Sequence, residues 1–124
     1  MKRLIAVGIL LLLLISVFLT SLFYIKNTCE KTEILLTECV NAYEQKGDIS
    51  KRIEDLEKFW DKKEKVLSVF ADHNSIDEIE LSIKLLAVYS HTSQKELFLE
   101  YSKRAKIALH QLLEDTYPGT HSIL

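Results

Sequence analysis

Helix-breaking residues are almost missing from this chain. It has three glycines and one proline in 124 residues. With 48% hydrophobic and 27% charged residues, this scarcity points to a mostly helical protein, because little in the chain would interrupt a helix. There are two cysteines, too few for a disulfide framework. Neither is paired with a second Cys or a His at metal-ligand spacing. Positive charge shows no excess either. The net charge is −2, which argues against nucleic acid as a partner. Two of the 16 basic residues are Lys2 and Arg3, so the rest of the chain carries 14 against 18 acidic residues. That is a mildly acidic solvated surface with no basic stripe. No P-loop, GxSxG or HExxH motif occurs, so the common signatures of phosphate binding, acyl transfer and zinc hydrolysis are lacking.

One feature present in full is a hydrophobic run. Leu4–Ile25 reads LIAVGILLLLLISVFLTSLFYI, 22 residues without a charge; about 20 are enough to cross the hydrocarbon core as a helix. Lys2 and Arg3 precede it, and Tyr24 and Lys26 stand at its far end, as interface residues do. The apolar core of a cleaved signal peptide is shorter, about 7–15 residues, and ends in a small-x-small site. Here Leu22–Ile25 continue the run past Thr20 and Ser21. An uncleaved single-pass anchor over residues 1–25 is the expectation. The basic residues before the run place the amino end in the cytoplasm and the remainder outside. A tail that short carries no domain of its own, so any message across the membrane is expected to pass through another protein.

Beyond Ile25 the residues Cys29, Thr32, Leu36, Val40 and Tyr43 recur at helical spacing. The membrane helix is therefore expected to continue as a stalk, about 40 residues and roughly 60 Å long in all. Gly47 followed by Asp48 reads as a C′ glycine and then an N-cap. A second stripe of Ile49, Ile53, Leu56, Trp60, Leu67 and Phe70 predicts a helix to about Ala71. A third helix is predicted from Ile76, Ile79, Ile83 and Leu86, and a fourth from Leu97, Tyr101, Ala105, Ala108 and Leu112. Pro118 and Gly119 end the last near Tyr117. Connections this short make successive helices antiparallel neighbours. The expected architecture is all-α: an anchor over 1–25, a small antiparallel helical bundle over 26–117, and a loose tail over 118–124.

The stretch HNSIDEIELSI, residues 73–83, gathers a histidine, an amide and several carboxylates. Ser75 and Glu78, three apart and ahead of an apolar-periodic run, form the capping-box pattern. Asp77 and Glu78 suit a first turn, and Glu80 and Lys84 make an i,i+4 pair. Ser93 and Glu96 repeat the box. The acids thus have structural roles, and His73 reads as a polar loop residue between helices. A metal would need three or four ligands, and only one histidine is local. His91 falls about 27 Å away along the intervening helix, too far to share an ion. Cys29 and Cys39, ten residues apart in one helix, stand about 15 Å apart, beyond disulfide reach. They read as semi-buried thiols flanking the stripe, with an intermolecular bridge at Cys29 open on an oxidising face. Trp60, Phe59 and Phe70, at helical spacing, read as core rather than as a ligand-binding aromatic cluster. No catalytic, cofactor-binding or metal-binding residue is predicted.

The layout, together with VLSVFADHNSIDEIELSI over residues 66–83, resembles a family of short single-span membrane proteins of spore-forming bacteria known only as a domain of unknown function. The resemblance implies an envelope or sporulation membrane and a membrane-protein partner, and it supplies no catalytic residues. Two functions are carried forward. The first is an anchored interaction or scaffold module, contacting the lipid bilayer and another membrane or envelope protein, with a homo-oligomer as a further possibility. The second is a membrane-tethered enzyme or small-ligand sensor using the His73 and His91 ends of the bundle. The first is favoured, because no nucleophile, base and oxyanion donor converge.

Overall fold

The computed structural model describes residues 1–116, apart from the side chains of Phe70 and Thr116. The expectations for Phe70 as core, for fraying at Tyr117 and for a loose tail over 118–124 fall outside the described residues. Four helices follow one another: α1 (Lys2–Glu44), α2 (Ile49–Phe70), α3 (His73–Tyr89) and α4 (Lys95–Thr116). No strand occurs among the described residues. Helix α1 is unbroken for 43 residues, about 64 Å at 1.5 Å per residue. Its first part is apolar and free of packing: an 18-residue window has mean hydropathy 2.8, with none of it buried. Its second part is one wall of a four-helix bundle.

Each helix packs on the next, and α4 closes back on α1, with α3 and α4 sharing the most extensive interface. Tertiary packing of apolar faces supplies most of the stability of such helices. The core is one cluster: Ile25, Cys29, Leu36 and Cys39 from α1; Ile53, Leu56, Trp60 and Leu67 from α2; Ile76, Ile79, Ile83 and Leu86 from α3; Phe98, Ala105, Ala108, Leu109 and Leu112 from α4. It takes in Ile25, the last residue of the apolar run. Two differences from the sequence reading stand out. Both thiols lie inside the core, at 1% and 0% exposure, rather than flanking it. In α4 the innermost large side chain is Phe98, one position on from Leu97. Thr28 and Thr32 are buried as well, and the Thr32 hydroxyl donates to the Thr28 carbonyl at 2.7 Å, which satisfies it within the helix.

The α1–α2 turn uses a different residue from the one the sequence suggests. Gly47 N–H donates to Ala42 O at 2.7 Å and Lys46 N–H to Tyr43 O at 3.4 Å. This is the Schellman pattern, and it puts Lys46, not Gly47, at the left-handed C′ position, with φ 56°. A lysine there meets the steric penalty that glycine avoids. Lys46→Gly should therefore raise stability by roughly 0.5–1 kcal/mol, read as a higher denaturant midpoint with unchanged slope; a lower midpoint would count against this geometry. Asp48 is the N-cap of α2 as expected, its carboxylate accepting from Lys51 N–H at 3.3 Å.

Candidate functional site

The antiparallel order gives the bundle two ends. At the end away from the apolar segment, Tyr43 of α1 stacks on Phe98 of α4 with centroids 4.0 Å apart, and its hydroxyl donates to Thr92 O at 3.2 Å in the α3–α4 turn. Tyr89 and Tyr101 stack beside it at 5.5 Å, and Arg104 lies 5.3 Å from the Tyr101 ring. Toward the apolar segment, Lys63 of α2 sits 5.2 Å over Tyr24 and 5.7 Å over Phe59, and Lys31 reaches the same Phe59 ring at 5.9 Å. Between the ends, Arg52 pairs with Glu38 at 3.3 Å, and His110 Nε2 stands 3.8 Å from Glu33 Oε1. These exposed pairs fix register more than they add stability.

His73 is not in a loop. Helix α3 begins at His73, with Asp72 as its N-cap residue, and the first helical bond runs from Ile76 N–H to Asp72 O at 3.2 Å. The capping box expected at Ser75 and Glu78 does not form. Ser75 lies within the first turn, and its hydroxyl donates to Asp72 Oδ2 at 3.4 Å. Asp and Ser rank nearly equally as N-caps. Starting at Asp72 adds a turn of helix and buries both Ser75 and Ile76, so packing chooses the earlier cap. The second expected box fails in a similar way. Helix α4 starts at Lys95, so Ser93 stands one residue too early to cap it, although Glu96 does lie in the first turn. Ser75→Ala should then be nearly neutral, within about 0.5 kcal/mol, since a long hydrogen bond is exchanged for a better helix former. The Asp72 carboxylate accepts no hydrogen bond from the helix amides, so Asp72→Ala should cost about 0.3–1 kcal/mol through its charge at the helix start alone. Thermal melts of both variants check the order; a larger loss at Ser75 would restore the later helix start.

His73 and His91 lie at opposite ends of α3, so the structure does not bring them together. An open cleft of about 550 Å³ lies instead between the start of α3 and the end of α4. Asp72, Glu78, Glu114 and Asp115 line it with Arg104, Asn74 and Gln111. Carboxylates spread over a wide cleft bind water and small cations loosely. Among the described residues, no group of three or more His, Cys, Asp or Glu side chains is placed to hold a metal ion. A second open groove runs along α1, lined by Glu30, Glu33, Ile34, Thr37 and Glu38. A third, lined by Phe18, Ser21 and Leu22 of α1 together with Ala71, Asp72, Leu112 and Asp115, lies where the bundle meets the apolar segment.

The thiols are the most perturbed titratable groups. Burial, followed by the negative charges of Glu33 and Glu30, pushes Cys29 up to about 12. Burial and then Glu38 do the same for Cys39, against a smaller opposing pull from Arg52. A thiol held protonated is neither a nucleophile nor a ready partner for a disulfide. Both cysteines are free, and with Cys29 at 1% exposure an intermolecular bridge would require the core to open. Trp60, also 1% exposed, leaves its indole Nε1 without an acceptor; it serves the core by volume.

None of the curated proteins or solved structures compared with the chain matches it. A family described as a domain of unknown function (DUF4363) does match, over residues 19–120. That span takes in nearly all of the bundle just described, and the chain belongs to this family.

Proposed function

We propose that the protein is a membrane-anchored helical scaffold of the bacterial cell envelope that acts by binding a protein partner. One observation carries this reading: the apolar segment and the first wall of the bundle are a single uninterrupted helix. A bundle attached in this way is held at a fixed height and tilt above the bilayer, with no flexible linker to let it search for a soluble substrate. The surfaces it offers are broad and open, and they carry separated charges rather than a converging set of reacting groups. The amino end is cytoplasmic and the bundle faces outward, following Lys2 and Arg3.

Photo-crosslinking in native membranes tests this. A crosslinker in place of exposed Ile34, on the α1 groove, should give a discrete adduct whose second component mass spectrometry identifies as an envelope protein. A crosslinker at Leu81, on the outer face of α3, serves as the comparison. Lipid-only adducts at both positions would argue against a protein partner. A membrane-impermeant maleimide should reach Ser93→Cys on intact cells; labelling only after lysis would reverse the orientation.

A further inference from the structure

The end of the bundle nearest the apolar segment has features that anchoring alone does not require. Side chains of α1 begin to be covered at Ser21, while Leu4 to Thr20 stay open except for half-exposed Gly8. The open stretch of 17 residues is about 25 Å long, short of the roughly 30 Å hydrocarbon core. The full run to Ile25, about 33 Å, is long enough. The last turn of the run is therefore both membrane-length helix and bundle wall. Helix α2 descends beside it. Lys63 lies over Tyr24, and six residues further on, about 9 Å lower, Val69 comes near the level of Phe18. The groove that joins Phe18, Ser21 and Leu22 to Ala71 and Asp72 places the α2–α3 turn at the same height.

Val69 is 81% exposed and Val66 43%. Their spacing from Lys62 and Lys65 puts all four on one outward face of α2, the two lysines a turn above the two valines. Apolar side chains below and ammonium groups above suit the boundary between acyl chains and phosphates, where lysine extends its head to the headgroups. Asp72 and Asp115 beside the groove limit the depth, since carboxylates resist entry into hydrocarbon.

We propose that the α2–α3 end of the bundle is a lipid-contacting surface, seated in the headgroup layer of the same bilayer that holds α1. Val66 and Val69 meet the acyl boundary, and Lys62 and Lys65 meet lipid phosphates. This rests on the anchoring reading and goes beyond it, because it makes the bundle itself a membrane-bound element held at two points.

The test uses the full chain in vesicles of phosphatidylcholine and phosphatidylglycerol. Nitroxide labels are placed singly at Leu12→Cys, Val69→Cys and Val88→Cys, the two native thiols being buried. Power saturation compares access of oxygen, which prefers lipid, with access of a water-soluble nickel chelate. Residue 12 should be lipid-buried. Residue 69 should show a several-fold higher oxygen-to-nickel ratio than residue 88 at the opposite end of α3. A lipid-buried label at 12 with equal ratios at 69 and 88 overturns the lipid-contacting surface alone. A nickel-accessible label at 12 overturns the anchoring reading and this inference with it. Protection of residue 69 from both agents would mean that a second copy covers the face, which also overturns the proposal.

Discussion

Phe98→Ala should lower the stability of the bundle by about 3–5 kcal/mol, the cost of removing a large aromatic side chain from a closed core. Phe98 is fully buried, and its ring stacks on Tyr43 at 4.0 Å. It joins α4 to α1 at the end farthest from the apolar segment, where no lipid would compensate for a cavity. For a bundle of about 100 residues the loss corresponds to a fall in melting temperature on the order of 15–30 °C. The single tryptophan, Trp60, is buried in the same core. Its emission in the detergent-solubilised full chain therefore follows the unfolding without interference from the apolar helix. Leu97→Ala, at a half-buried neighbouring position, should cost much less. Equal losses at the two positions would mean that α4 is rotated by one residue from the packing described.

The second large effect is with pH. Both thiols are held protonated in the folded chain to about pH 12, against an ordinary value of 9.0. Above pH 9 the unfolded chain releases two protons that the folded chain keeps. The contribution of the buried thiols is therefore complete below pH 9 and declines as pH rises toward 12. Each thiol costs on the order of 1 kcal/mol per pH unit in that window, so the pair should weaken the fold by about 2–3 kcal/mol at most for each unit of pH. Tyrosine and lysine titrate in the same range, so the comparison is with Cys29→Ala/Cys39→Ala. That variant starts less stable, from two small cavities, and should lose stability less steeply above pH 9. Parallel curves for the two proteins would show that the thiols are solvated. Below pH 9 neither thiol should react with a bulky disulfide reagent until the protein unfolds.

The sequence by itself determined the anchor-like run, the number of helices and most of the core. These features depend on local chemistry: a 22-residue uncharged run is the length of a membrane crossing, and Ile53, Leu56, Trp60, Ile79, Ile83 and Leu86 recur at the period of a helix facing one neighbour. The Asp48 cap was equally legible, because it directly follows Gly47 and directly precedes Ile49, the first residue of the α2 stripe. Where two local solutions were nearly equal in energy, only the tertiary structure decided. Asp and Ser are both good cap types, and the helix start fell at Asp72, even though its carboxylate caps no amide, because the additional turn buries Ser75 and Ile76. Gly47 is the better left-handed residue, but the turn needed to bring Asp48 onto α2 placed Lys46 at that position instead. Cys39 entered the core, and Phe98 displaced Leu97, because helix rotation is set by every neighbour at once and a stripe read from one helix is uncertain by a residue. The height of Val66 and Val69 beside the apolar run was invisible in the sequence for a related reason. Those residues lie more than forty positions from Ser21 and Phe18, and only the antiparallel register of α2 against α1 brings them to the same level.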